Sequence, residues 1–199
     1  MPIVNIRARE VSCKVVYCGP SLGGKTTNIS QIHSHLPGPH KSELQMIATD
    51  DDRTLFFDYF SVNLAKIKGL DTRFLVYAVP GQEYYKTTRK MVLKGVDGIV
   101  FVADSDSSRI NDNLASLADL KALMLEHDYS YQNIPIVLQY NKRDLPNICS
   151  IDQMNELLND KGSPHFEAIA VEGQGVIETF RSICNTIVGK LNDVEPARI

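Results

Sequence analysis

"GPSLGGKT", residues 19–26, decides how this chain folds. Its glycines, lysine and threonine follow the spacing G-x-x-x-x-G-K-[ST], and its flanks supply the context that spacing requires. Ahead of it "SCKVVYCG" reads as a buried strand ending in glycine; behind it a helix runs from Lys25 to about His35. A glycine loop at such a junction turns backbone N–H groups toward phosphate oxygens, and the helix dipole adds positive potential. Gly19, Ser21, Leu22, Gly23, Gly24, Lys25, Thr26 and Thr27 are the candidate cradle residues. Lys25 is expected to reach the β- and γ-phosphates, and the Thr26 hydroxyl to face Mg²⁺.

Outward from the loop, apolar runs and helical periods alternate, the signature of an α/β domain with a mainly parallel sheet. After "LPGPH" a polar stretch to Asp52 reads as a long loop. "RTLFFDYFSV" and "DTRFLVYAV" read as an antiparallel hairpin around "AKIKG", and "GIVFVAD" and "IPIVLQYN" as buried strands. Between the last two, Ile110, Leu114, Leu117, Leu120 and Met124 mark an amphipathic helix capped by serine. A helix from about Ile151, a strand "HFEAIAV" and a helix from about Val176 to Leu191 complete a six-stranded sheet. "PIVNI" adds an N-terminal edge strand beside the first core strand.

The length of 199 residues suits a single domain over 1–199. A net charge of -3 makes no electrostatic case for nucleic acid, and no stretch approaches the roughly 20 apolar residues of a membrane span. The N-terminus lacks an apolar signal core, so a cytoplasmic location is expected. Cys13, Cys18, Cys149 and Cys184 form no CxxC pair and read as core thiols, while "NDVEPARI" carries no prenylation box, so no covalent lipid anchor is expected. His33, His35 and His40 lack companions at metal-ligand spacing and read as a solvated helix end.

"NKRD", residues 141–144, selects the base. It follows the run "IPIVLQY", where open α/β sheets place ligands. The Asp144 carboxylate accepts from the ring N–H and the exocyclic amine of guanine, whereas adenine offers an acceptor and no amine there. Asn141 is expected to face the N7 side, and the stem of Lys142 to cover the ring.

At these residues the chain resembles the Ras-like small GTPases, and within them the bacterial MglA polarity GTPases, through "GPSLGGKTTN", "TDDDRTLFFD", "VPGQ", "LKGVDGIVFVADS" and "QYNKRDLPN". The resemblance implies a P-loop GTPase fold of three layers, with GTP/GDP and Mg²⁺ as ligands. It makes "EAIAVEGQGV" the last base-binding element, with the Ala170 N–H on the guanine carbonyl and Val171 where a lysine is usual. Gly81 and Gln82 then belong to the second switch, Gln82 positioning the attacking water. Arg53 serves as an arginine finger in cis and Thr54 as the Mg²⁺-binding switch threonine; without the resemblance Arg53 is a solvated loop arginine. A Roadblock-type MglB dimer as regulator, polarity or motility effectors, recruitment to a cell pole and a monomeric free state are also implied.

Two departures leave a rival reading open. Ser21 stands where Ras-like proteins keep glycine, and its hydroxymethyl group crowds the γ-phosphate. Ala78, in "VYAVPGQEYY", stands where an aspartate holds a magnesium-bound water. With Arg53 and Gln82 the chain is a hydrolysing switch; with Ser21 and Ala78 it is a GTP-dependent scaffold of negligible hydrolysis. The hairpin offers a substitute acid: strands pairing about Lys68 set Asp58 opposite Ala78, on one face and about 5 Å apart. A slip of one residue sends Asp58 to the other face as a solvated edge charge. Lys86, Arg89, Lys90 and Lys94 read as a solvated helix side next to the second switch.

Overall fold

The computed structural model describes residues 2–5, 7–47, 57–67, 69–81 and 85–193. The first core strand, β2 (Glu10–Cys18), alternates half-buried and buried residues until Val15, after which both faces are covered. Its neighbours in the sheet are β5 (Leu70–Ala78) and β6 (Gly98–Asp104), both parallel to it. The chain leaves β2 through α1 (Lys25–His35) toward β5, then returns across β2 to β6 by way of α2 (Lys86–Leu93). The loop after β2 therefore lies at the point where the winding reverses, which opens a crevice at the carboxyl ends of the strands.

The sheet has eight strands in the order β3-β4-β5-β2-β6-β7-β8, with β1 (Ile3–Asn5) antiparallel to β2. The expected N-terminal edge strand is thus present. The extra strand is β3 (Gln45–Ile47), within the stretch read as a long loop, where it pairs antiparallel with β4 (Phe57–Ile67). Three residues of mixed polarity carry no alternation, and only a partner strand gives them an extended form. At the other edge, β7 (Ile136–Asn141) is followed by β8 (His165–Glu167), far shorter than "HFEAIAV". Beyond Glu167 the chain folds into a tight turn closed by an Ile169–Gln174 bridge.

Two cores sandwich the sheet. Ile29 and Ile32 of α1, with Phe180, Ile183 and Ile187 of α5 (Val176–Asp193), pack on Tyr17, Phe60, Val62, Phe74 and Val76. On the opposite face α2, α3 (Ile110–Glu126) and α4 (Ile151–Leu158) cover Val16, Ile99, Phe101, Leu138 and Tyr140. The expected helical stripe is core at Leu117, Leu120 and Met124, whereas Leu114 is at the surface. The cap ahead of α3 is Asp106 rather than a serine: its Oδ1 accepts from the Ser108 N–H and hydroxyl at the start of a 3-10 turn. Serine caps α4 instead, where Ser150 and Gln153 form a reciprocal capping box. Cys13, Cys18 and Cys184 are buried, and burial pushes the thiols of Cys13 and Cys18 up to about 12.

The hairpin of β4 and β5 sets the position of Asp58 by a device the sequence reading did not include. Ile67 pairs directly with Leu70, and Gly69 has φ +82°, so the chain turns tighter than a hairpin centred on Lys68. Between Asn63 and Ala65 β4 then takes two steps while β5 takes one, from Arg73 to Thr72. Leu64 is the extra residue of a bulge. The tight turn and the bulge offset each other, and Asp58 falls opposite Ala78 as expected. Asp58 shares its face with Phe60 and Val62 and is 5% exposed, which overturns the alternative of a solvated edge charge.

Leu64 is 41% exposed, so its own burial contributes little. Deleting it slips residues 57–63 by one and turns Phe60 and Val62 off the core, at roughly 3–6 kcal/mol for the two side chains. We expect the urea midpoint to fall accordingly in the deletion, while Leu64→Ala, which keeps the bulge, stays close to wild type; equal midpoints for all three would show that the bulge does not hold this register.

Candidate functional site

A cavity of about 380 Å³ opens at the carboxyl ends of β2 and β5. Ser21, Leu22, Gly24, Lys25, Thr26 and Thr27 form one wall, and Asp58, Ala78 and Gly81 are part of the other. The loop wall is contorted. Leu22 has φ +62°, a left-handed conformation that costs a side chain about 1 kcal/mol or more, and yet it is highly exposed. Gly24 has φ +99°, and a β-carbon there would lie 2.2 Å from Asn141 Nδ2, so only glycine fits.

Lys25 is buried, and its ammonium donates to the carbonyls of Gly19 (3.0 Å) and Pro20 (2.6 Å). Burial brings its pKa down to about 8. A desolvated cation resting on loop carbonyls is suited to an anion of several oxygens. Thr26 is exposed and lines the same cavity as Asp58. The donor set therefore fits a polyphosphate with a hard cation: a hydroxyl and a carboxylate, both oxygen ligands, flank the lysine.

The second half of the site is at the end of β7. Asn141, almost fully buried, donates from Nδ2 to the Gly23 carbonyl at 2.9 Å and accepts from the Ala170 N–H at Oδ1, also at 2.9 Å. It ties the phosphate loop to the turn after β8. The Ala170 N–H, expected to point at a base carbonyl, is thus engaged by Asn141, because the tight turn directs it inward. Val171, the next residue, is 69% exposed, and its carbonyl accepts from Gln31 of α1. Asp144 is exposed in the turn that follows. Lys142 adopts φ +66°, and its ammonium reaches Asp104 Oδ2 at 2.6 Å.

Asp104 escaped the sequence reading. It ends β6 completely buried, with its backbone N–H and carbonyl both bonded to the Asn113 side chain. Its carboxylate holds Lys142, approaches Arg109 Nε at 3.9 Å and accepts from the Asp106 N–H. Arg109 in turn donates to the Ser21 carbonyl at 2.9 Å. Gly81 passes so close to the loop that a β-carbon on it would lie 2.2 Å from the Ser21 backbone nitrogen. A charged residue closing the apolar run "GIVFVAD" was the available signal for Asp104; Arg109 left none, since its partners come from distant segments.

Of the other expected residues, Arg53, Thr54 and Gln82 lie outside the described residues, as does Lys68. The solvated helix side beside the second switch is only partly so. Arg89 is buried, paired with Asp119 at 2.9 Å and donating to the Pro80 carbonyl, while Lys90 pairs with Glu126 on the surface. His33 is bonded to the Ser42 carbonyl through Nε2 and packs edge-on against Phe60, rather than facing solvent. Among the described residues no helix is long and apolar enough to cross a membrane, and no cluster of His, Cys, Asp and Glu gathers to hold a metal by itself.

The model of the ADP-ribosylation factor family matches residues 3–187. The mutual gliding-motility protein MglA of Myxococcus xanthus is 44% identical over 191 residues, covering 96% of this chain and 98% of its own. ADP-ribosylation factor-like protein 6 of Danio rerio is 29% identical over 181 residues, covering 88% and 87%. The Ras-related protein Rab-1D of Dictyostelium discoideum is 27% identical over 139 residues, covering 68% and 65%. The glycine loop with its buried lysine, the asparagine strut at β7 and these matches agree: the chain belongs to the MglA family of Ras-like small GTPases, proteins that bind guanine nucleotides and hydrolyse GTP.

Proposed function

We propose that this chain is a guanine-nucleotide switch that hydrolyses GTP slowly, is accelerated by a partner, and serves cell motility or polarity. The observation that carries the reading is the facing of Lys25 and Thr26 by Asp58, Ala78 and Gly81 across one cavity. In that arrangement the two strand ends that lead to the switches meet the phosphate loop, so a γ-phosphate has means to alter both. Motility is suggested by the relative from Myxococcus xanthus, named for gliding. A Roadblock-type dimer of the MglB kind as accelerator, and polar recruitment, belong to the proposal on the sequence resemblance alone.

The roles divide as follows. Lys25 neutralises β- and γ-phosphate oxygens, aided by the N–H groups from Ser21 to Thr27. Thr26 and Asp58, with Thr54, would hold Mg²⁺, which draws charge from the same oxygens when bound. Gln82 orients water toward the γ-phosphorus; the bond from phosphorus to the bridging oxygen breaks, and Arg53 balances charge developing on that oxygen. Asp144 accepts from the guanine ring N–H and amine, Asn141 holds the two loops together, and Lys142 lies along the base. With Ala170 bonded to Asn141, the Val171 N–H is the one offered to the guanine carbonyl.

Asp58 takes the place of the acid missing at Ala78. Its register opposite Ala78 puts a carboxylate where the cavity needs one, from the first switch strand instead of the second. An ion bound there couples to the position of β4, since a ligand favours the register in which it is contacted.

Competition binding with GDP, GTP and ATP tests the base assignment. Guanine nucleotides should win, and Asp144→Asn should shift preference toward xanthine nucleotides by about 1–3 kcal/mol; equal affinity for ATP removes the role given to Asp144.

Single-turnover hydrolysis tests the switch against the scaffold. An arginine that is not pre-positioned leaves the intrinsic rate near about 10⁻⁴ s⁻¹, with a partner raising it roughly 10³-fold or more. Arg53→Ala and Gln82→Ala should each abolish most of that stimulation and leave GTP binding intact. No turnover with any partner favours the scaffold reading, for which Ser21 in the phosphate loop and Ala78 are the argument.

For the relocated acid, Asp58→Ala should weaken the magnesium-dependent part of GTP affinity more than that of GDP, and Ala78→Asp in that background should restore part of it. Unchanged magnesium dependence for both nucleotides assigns the ion to threonines, phosphates and water alone.

A further inference from the structure

Asn141 is not the only polar side chain that β7 sends toward α1 and α5. Gln139, two residues earlier and therefore on the same strand face, is fully buried, and so are its partners Asn28 of α1 and Thr179 of α5. Gln139 Nε2 donates to Asn28 Oδ1 at 2.9 Å and to Thr179 Oγ1 at 3.0 Å. Asn28 Nδ2 donates to the Gly24 carbonyl at 3.0 Å, and Thr179 Oγ1 donates to the Gly175 carbonyl at 2.6 Å. The chain of bonds thus begins in the phosphate loop and ends at the foot of the turn that carries Ala170 and Val171.

Its polarity is determined by its ends. The Gly24 carbonyl accepts, so Asn28 must turn its amide nitrogen outward and present Oδ1 to Gln139. Gln139 must then present its nitrogen, whose two protons go to Asn28 and Thr179. The hydroxyl proton of Thr179 is left for Gly175. Each amide has one orientation that satisfies both neighbours, and a flip at any link sets two acceptors face to face. The remaining Gln139 oxygen, Oε1, is buried with no partner among the described residues. Three apolar side chains of the same shape would avoid that loss, so folding stability alone does not account for a polar chain in this core.

We propose that Gln139, with Asn28 and Thr179, is a positioning relay for the nucleotide: a second strut, beneath Asn141, that holds the base-reading turn at a set distance from the phosphate loop. Asn141 holds the Gly23 carbonyl directly and Gln139 reaches the Gly24 carbonyl through Asn28, and Asn141 and Gln139 share one face of β7. A nucleotide spans the same two loops from above. Its retention depends on their separation, because a loop free to shift gives up base or phosphate contacts one at a time and release then needs no concerted break.

Substitutions that part polarity from volume test this. Thr179→Val keeps the volume and removes the hydroxyl; Thr179→Ser loses a methyl group and keeps the relay. Release of a fluorescent GDP analogue, chased with unlabelled GDP in the presence of Mg²⁺, should be about tenfold faster in Thr179→Val, corresponding to about 1.4 kcal/mol. It should stay within about twofold of wild type in Thr179→Ser, a smaller loss than one buried hydrogen bond brings. A packing role predicts the reverse order, with the serine variant faster and the valine variant unchanged, and that result overturns the proposal. Gln139→Met, which preserves length without donors, should match Thr179→Val, and the double variant should release no faster than either single one. Multiplying effects would mean that the residues do not act as one chain. The Thr179 pair is decisive even where Gln139→Met fails to fold.

Discussion

The Asn141 carboxamide lies so close over Gly24 that no β-carbon fits between them, and much of the site is arranged around that approach. Gly24 opens α1, so its position sets where the helix dipole points and where Lys25 starts. Asn141 ends β7, so its position is set by hydrogen bonding across the parallel sheet from β6. Joining the two transfers the rigidity of the sheet to a loop that has little of its own. The same carboxamide takes the Ala170 N–H, which brings the turn after β8 into the same frame. Three segments far apart in sequence are thereby held by one buried side chain whose donor and acceptor are both used.

Electrostatics follow a related plan on the neighbouring strand. Asp104 is a fully buried acid, and it is tolerated because Lys142, Arg109 and the Asp106 N–H supply opposite charge and hydrogen bonds around it. Those cations are in turn placed: Lys142 just past the end of β7, Arg109 against the Ser21 carbonyl. Lys25 is the counterpart without a carboxylate within bonding distance among the described residues, and burial lowers its affinity for a proton. The protein thus pairs its cations around Asp104 with an acid and leaves Lys25 on loop carbonyls beside the cavity, an arrangement suited to a polyanion.

Register, rather than composition, gives the cavity its acid. Asp58 is far from the loop in sequence, and its side chain reaches the cavity because β4 and β5 pair with a tight turn and then a bulge at Leu64. Either device alone sends Asp58 to the opposite face, where Phe57, Tyr59 and Tyr77 pack. The two together leave Phe60 and Val62 in the core and the carboxylate at its edge.

How much of this was legible in the chain depends on range. The loop from Gly19 to Thr26, α1, β6 and the tetrapeptide "NKRD" are local: glycine spacing, helical period and a buried apolar run encode them within a few residues. The partner of Asp58 was expected from a plain hairpin about Lys68, and it holds because the tighter turn and the bulge at Leu64, neither of them legible, cancel. Short β3, the brief β8 and the burial of Arg89 depend on what lies opposite, and three-residue strands have no period to read. Asp104 gave a faint signal as a charge closing an apolar strand; Arg109, and the chain from Asn28 through Gln139 to Thr179, gave none that could be paired in advance. Sequence by itself determined the class of fold and the nucleotide chemistry, because both reside in contiguous stretches. Only the tertiary structure decided which distant polar groups meet between β7, α1 and α5, because a hydrogen bond between buried side chains exists only once the sheet has brought them within 3 Å.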